Sequence, residues 1–366
     1  MNSRKTIFIT GVTGGLGREL LRIFLERTED ELLLLVRPRA SETHHARVEK
    51  LLKKLGILEK ARGRVRVLAG DVTEPRLGLD PEDWKMAVSE TDEFFHSAAL
   101  TNLGASWEDA ERINFQGTLH ALKLARESHR RGRLARFFYF STAFVAGSLT
   151  PIRALEDELP ENPVFGNAYE ATKYEAEKKV REEMAAGLPA TIFRPSIVVG
   201  DSKRGAVSEF NVIYPFLRLF AHGHLRQLPT RLEHSFNIVP IDFVIEASFA
   251  LSRLASTQNR TFHLVTENPP TLELLLKVRE EYGHFPPVEV VEPENFSVED
   301  LSPREREIFS TLNPYLGYLG SLLTFDNRNT REALAKSGIS FPNTDFSFLK
   351  KIVNYAIERG YFLSAA

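Results

Sequence analysis

The chain has 366 residues, is 43% hydrophobic and 26% charged, and carries a formal net charge of -2, so it can bury a large core and gives no compositional ground for disorder or a nucleic-acid-binding tail. It contains no cysteine, which excludes a disulfide scaffold, a thiolate metal site and a thiol nucleophile. The apolar opening stretch Thr6 to Thr10 is too short for a signal or a span, and no later segment reaches about 18 uncharged apolar residues, so a cytoplasmic protein with no membrane span is expected.

From the start to Pro195, short apolar runs alternate with helical stretches whose apolar residues gather on one side, such as Leu16, Leu20, Ile23 and Phe24. Strands are expected at Thr6 to Thr10, Leu32 to Val36, Val65 to Ala69, Glu93 to His96, Phe137 to Ser141 and Thr191 to Phe193. Six such strands separated by helices predict a parallel, doubly wound α/β sheet. After Gly200 aromatic and proline-punctuated segments break the alternation, which reads as a smaller mixed α/β substrate lobe.

Directly after the first strand come Gly11, Thr13, Gly14, Gly15, Leu16 and Gly17, followed by a helix. Glycines at this spacing allow a tight turn and a close backbone approach to a pyrophosphate, while the helix start offers unpaired N–H groups to the anion. Residues 1–200 are therefore expected to form a Rossmann-type NADP-binding domain, and 201–366 the substrate-binding lobe, with some segments returning to the sheet. The second strand ends in Arg37, where an NAD-binding chain usually has an acidic residue; a guanidinium there suits a 2′-phosphate, with Arg18 approaching from the glycine-loop helix. NADPH is expected over NADH. For both arginines the competing reading is a solvated charge.

Tyr169 and Lys173 open a helical segment at a spacing of four, which places them on one face. A neighbouring ammonium would bring the tyrosine pKa down towards the working range, so the phenol is expected to transfer the proton. Tyr174 and Lys178 repeat the spacing, but five residues turn a helix by about 140°, so the two pairs cannot face one cleft. Thr142 at the end of the fifth strand is the expected hydrogen-bond donor to a substrate carbonyl, with Ser141 in reserve, and either could instead cap the strand. Asn114 reads either as a residue that positions backbone or water near the lysine or as a buried structural amide.

Thr10 to Gly17, His96 to Ala99, Asn114 to Thr118, Ser141-Thr142, Tyr169 to Lys173 and Arg194 to Ser196 together resemble the extended short-chain dehydrogenase/reductases. Within them, Leu35 to Pro38, Phe138 to Ala143, Arg194 to Asp201 and Ile238 to Asp242 resemble the thioester-reductase and fatty-acyl-CoA-reductase branch. The likeness runs well from Lys5 to Leu264 and loosely beyond. It implies that Thr142, Tyr169 and Lys173 act together, that Ala98 and Ala99 line the cofactor cleft beside Pro195 and Ser196, and that Asp71 and Val72 meet the adenine end. It also implies hydride transfer from NADPH to a small-molecule aldehyde or an acyl thioester, with an acyl carrier protein as a candidate partner. Gly15 departs from the family, which often has a bulky aromatic there.

Two other functions fit the same residues: a sugar-nucleotide epimerase or dehydratase or sterol-type alcohol dehydrogenase, and a dinucleotide-binding sensor without turnover. The apolar Pro314 to Leu323 reads as core packing or as a lid over an acyl chain. The basic stretch from Arg126 to Arg136 could attract an acidic carrier protein or the phosphates of coenzyme A, but its place between a helix and an inner strand reads as a solvated charged turn. His44-His45 and His222 with His224 lack a third ligand at metal-binding spacing, so no metal site is expected.

Overall fold

The computed structural model describes residues 4–223, 226–283, 285–319 and 322–363. Seven parallel strands form the main sheet: β1 (Thr6–Thr10), β2 (Glu31–Val36), β3 (Val65–Ala69), β4 (Glu93–His96), β5 (Arg136–Phe140), β6 (Ala190–Pro195) and β7 (Arg260–Leu264). They lie in the order β3-β2-β1-β4-β5-β6-β7. The six expected strands are present to within two residues at each end, and the expected count is corrected by a seventh. β7 escaped notice because Arg260-Thr-Phe-His-Leu264 interleaves polar side chains; the imidazole of His263 is nonetheless fully buried, its Nδ1 2.5 Å from the Asp326 carbonyl oxygen.

One face of the sheet is covered by α1 (Gly15–Arg27), and the other by α2 (Gly117–Arg130) and α3 (Ala168–Ala185). A helix from beyond residue 200, α4 (Ile241–Ser252), packs beside α1 on the first face. The strands read as nearly continuous apolar runs because both faces are buried, and each fully buried Leu, Ile or Phe contributes about 1.5–3 kcal/mol. A third apolar cluster is built largely from residues after 196, including Tyr214, Leu228, Leu312 of α5 (Pro303–Leu319) and Ile352 of α6 (Phe346–Glu358).

Strand order reverses between β1 and β4. In doubly wound sheets this reversal opens a crevice at the strands' C-terminal ends, where ligands bind. Of the segments singled out from sequence, His224, Gly320 and Ser321 lie outside the described residues. Among the described residues, no helix is long and apolar enough to cross a membrane.

Candidate active site

The crevice is shaped first by the turn after β1. Gly11 takes a positive φ of 77°, and a Cβ there would lie 2.7 Å from the Ala98 nitrogen at the end of the neighbouring strand. At Gly17 a Cβ would lie 2.1 Å from the Gly11 carbonyl oxygen, so helix and turn meet only if this position is bare. Gly14 caps α1 with no side-chain acceptor for the first N–H groups. Those donors face a cleft floored by Gly11, Gly14, Gly15, Leu16 and Gly17, the arrangement a pyrophosphate fits.

On the far wall stand the groups from β5, β6 and α3. Thr142 Oγ1 accepts from the Phe144 backbone N–H at 3.3 Å, capping the short turn after β5, and faces the Tyr169 hydroxyl. Both expected roles of Thr142, cap and cleft donor, are thus open to one side chain. Lys173 Nζ donates to the Phe140 carbonyl at 2.6 Å and lies 4.2 Å from the centre of the Tyr139 ring. Ser141, Thr142, Tyr169, Lys173, Pro195 and Ser196 all line the cleft, as does Ala99. The Ser196 hydroxyl is buried with no protein hydrogen-bond partner, a polar atom left over at the edge where a cofactor would lie.

The electrostatics reverse one expectation. Burial pushes the Tyr169 phenol up to about 12, against the effect of Thr142, and pushes the Lys173 ammonium down to about 7, against the field of Glu177. Burial outweighs the Thr142 hydrogen bond at Tyr169, so the phenol stays protonated.

The other expected residues divide clearly. Arg37, at the end of β2, is 57% exposed and 3.6 Å from Asp71, a loose pairing that leaves its guanidinium open. Arg18 does not join it: its guanidinium donates to the carbonyls of Thr13 at 2.9 Å and Gly14 at 3.2 Å and lies 3.7 Å from Glu209. It braces the glycine turn against the loop after residue 200. Asp71 accepts from the Thr73 backbone and hydroxyl, and the Val72 carbonyl oxygen lies 2.9 Å from His120 Nδ1, which fixes the loop after β3. Asn114 is a fully buried clamp. Its Oδ1 accepts from the Leu100 N–H at 2.7 Å and its Nδ2 donates to Leu100 O and Thr172 Oγ1, so it ties the loop after β4 to α3 without reaching the lysine. The second Tyr-Lys pair points elsewhere: the Tyr174 hydroxyl donates to the Pro160 carbonyl at 2.8 Å, and Lys178 is exposed.

Sequence reading missed several residues. Glu177 continues the stripe of Tyr169 and Lys173 by another four residues, is fully buried, and accepts from Arg194 at 2.6 and 3.0 Å and from Arg181 at 2.8 Å. Burial alone would raise its carboxyl, but the arginines outweigh it and hold it down at about 2. Glu170, beside Tyr169, accepts from the Ser148 N–H and hydroxyl, the Gly166 N–H and the Asn167 amide. Tyr318 of α5 joins this group through its hydroxyl, receives a 3.3 Å hydrogen bond from Asn167, and lines the cleft. From the Pro314 to Leu323 stretch, Tyr318 therefore packs in the core and also contributes a wall to the cleft. Asn167 immediately before the helix, with Glu170 three residues later, is the capping pattern that could have flagged this end.

Residues 9–248 match the NAD-binding family model described as male sterility protein. The chain belongs to this family. It is an extended short-chain dehydrogenase/reductase of the thioester-reductase branch with an NAD(P)-binding domain. Among its relatives, a nonribosomal peptide synthetase of Aspergillus flavus is 28% identical over 98% of the chain, and a carboxylic acid reductase of Mycobacterium tuberculosis is 28% identical over 71%. The chain spans 37% and 24% of the lengths of these two proteins. The terminal R domain of the myxalamid PKS-NRPS pathway superposes with a TM-score of 0.83 at 27% identity, covering 99% of this chain and 93% of that one.

Proposed function

We propose that this chain is an NADPH-dependent reductase that delivers hydride to the carbonyl of an acyl thioester, carried on coenzyme A or an acyl carrier protein, or of an aldehyde. The observation that carries this reading is the one cleft that unites the bare glycine turn with Thr142, Tyr169 and Lys173. The relatives, a nonribosomal peptide synthetase and a carboxylic acid reductase, and the terminal R domain of a PKS-NRPS pathway support a tethered acyl group as substrate. Residues 1–200 supply the nucleotide side and 201–366 the substrate side, to which Val207, Val212 and Tyr318 contribute apolar wall. The lack of cysteine suits the reducing cytoplasm.

Bound in the crevice, the reduced nicotinamide supplies the hydride. The hydroxyls of Thr142 and Tyr169 donate to the substrate carbonyl oxygen and stabilise the negative charge that develops there. Because burial keeps Tyr169 protonated across the neutral range, it starts in the state reduction needs and passes its proton to that oxygen. An aldehyde becomes an alcohol. A thioester becomes a hemithioacetal, whose C–S bond then breaks to release a thiol and an aldehyde. The phenolate left on Tyr169 is reprotonated beside Lys173, which is near half-charged at neutral pH.

The test is an NADPH-oxidation screen across acyl-CoAs, carrier-bound acyl groups, aldehydes and nucleotide sugars. Turnover of a thioester or aldehyde is expected. A protein that carries tightly held NAD and is active only on nucleotide sugars would overturn the reading. For the choice of nucleotide, Arg37→Asp is expected to lower the ratio of kcat/KM for NADPH over NADH about tenfold or more, as the loss of a charge-assisted contact implies. An unchanged ratio would take Arg37 out of this role.

A further inference from the structure

Outside the cleft, a weakly neutralised group of charges lies on α6 and the loop that leads into the substrate side. Lys351, Tyr355 and Arg359 fall at intervals of four along α6 and its C-terminal end, so they form one stripe. Arg204 is set beside them by Gly205, which approaches the helix so closely that a Cβ would lie 2.6 Å from the Lys351 carbonyl. Arg204, Lys351 and Arg359 border one hollow, with Glu358 its single carboxylate. Among the described residues, none of the three cations has a carboxylate partner. Lys351 Nζ donates to the Ser202 carbonyl at 2.9 Å and Arg359 Nε to the Tyr355 hydroxyl at 3.0 Å, both neutral acceptors. Asp201, the loop's own carboxylate, accepts instead from the backbone N–H groups of Lys203, Arg204 and Ala206 at 3.0, 2.8 and 3.1 Å.

A cation at a helix C-terminus can simply complement the helix dipole, which would account for Arg359. It does not account for Lys351 two turns earlier or for Arg204 on another segment. Three cations around one carboxylate that pairs with none of them leave the hollow net positive, and an anion relieves their mutual repulsion. The hollow also shares a rim with the catalytic cleft: Ala206 borders the hollow and the next residue, Val207, lines the cleft. The Tyr355 hydroxyl, which accepts from Arg359, donates to the Val207 carbonyl at 3.2 Å, tying the basic stripe to that rim.

We propose that the hollow bordered by Arg204, Lys351 and Arg359 binds the phosphate of a phosphopantetheine arm whose thioester end lies in the catalytic cleft. This rests on the thioester reading given above, and it assigns the part of the substrate that is common to coenzyme A and to a loaded carrier protein. Binding energy from this remote phosphate would hold the reacting carbonyl in register.

The test compares wild type with the double variant R204Q/R359Q, which leaves the cleft residues and the Lys351 contact untouched. Four thioesters with one acyl group are used, on pantetheine, phosphopantetheine, coenzyme A and carrier protein, together with the free aldehyde. Wild type is expected to prefer the phosphopantetheine ester over the pantetheine ester about tenfold in kcat/KM, the size of one charge-assisted contact. The double variant is expected to erase that preference while leaving the pantetheine ester and the aldehyde unchanged. A loss shared by the coenzyme A ester identifies the free thioester as a source of the arm, and a loss confined to the carrier ester identifies the carrier. Equal losses on every substrate, aldehyde included, or no loss on any, would overturn the proposal.

Calorimetric titration with phosphopantetheine itself needs no turnover and keeps the two readings apart. Binding that the double variant loses, in a protein that reduces none of these substrates, would sink the reductase reading and keep the hollow. Thioester turnover indifferent to the phosphate would do the reverse.

Discussion

Two carboxylates on α3 flank the Tyr169 and Lys173 pair, and both are fully buried, yet they are held in opposite ways. Glu177, one turn beyond the lysine, faces two guanidinium groups and is held well below the usual carboxylate range. Glu170, next to the tyrosine, is surrounded by neutral donors, and burial raises it. The contrast shows one helix serving two needs. At the lysine end a fixed negative charge offsets part of the desolvation that lowers Lys173, while at the tyrosine end a carboxylate without a cation gathers the hydroxyl of Tyr318 and the cap residue Asn167, docking α5 onto α3.

The sharpest way to test the centre of this arrangement is Tyr169→Phe, which keeps the ring and removes the proton. Turnover is expected to fall about 10²- to 10⁴-fold with melting temperature little changed, and steady-state rates beside thermal melts would show whether it does. Next in size, Arg194→Met strips the charged end of its main counter-ion and leaves Glu177 buried. A loss of about 3–5 kcal/mol in denaturant unfolding is expected. Glu177 is held below its unfolded value, so its contribution is present above about pH 4.5 and is lost as pH falls towards 2. Acid unfolding of the wild type should steepen in that window and flatten in Arg194→Met.

A smaller effect is expected from Glu177→Gln on the pH profile of kcat/KM. With Lys173 at about 7 the wild-type profile should fall on its alkaline side near that value, because the ammonium is lost as pH rises through it. Removing the carboxylate removes the influence that favours the ammonium, so the limb should move to lower pH; a limb that stays put would sever the link between the two residues. The smallest effect is expected at the other end. Tyr318→Phe leaves the ring in the cleft wall and deletes a single donor to Glu170, for about 1–3 kcal/mol in unfolding and a rise in KM larger than any fall in kcat.

The nucleotide half was legible because its signals are local. Strands buried on both faces read as apolar runs, and the glycine turn sits between a strand and a helix that can be seen without coordinates. The same locality exposed Tyr169 and Lys173. What escaped was carried by contacts between distant segments. Glu177 is revealed as more than a charged helix residue chiefly by Arg194, seventeen positions later inside an apolar strand, and Tyr318 becomes part of the site through Asn167, 151 residues earlier, and Glu170. The direction of the Tyr169 shift was misjudged for a related reason, since the number of atoms crowding a hydroxyl is not written in the spacing of its helix.

The parallel pairing of β7 with β6 carries a consequence for how this molecule comes into being. The ribosome releases everything needed for the glycine crevice long before Arg260 to Leu264 emerge, and until then β6 presents a bare row of backbone donors and acceptors to whatever passes. A polypeptide ended at residue 200 would keep that open border permanently and would be expected to clump rather than bind nucleotide. When β7 arrives the edge passes to it, and there side chains take the backbone groups: Glu156 accepts from the His263 N–H, while Asn329 and Thr330 donate to the Thr261 and His263 carbonyls, so the border is blunted only once the later half has been made.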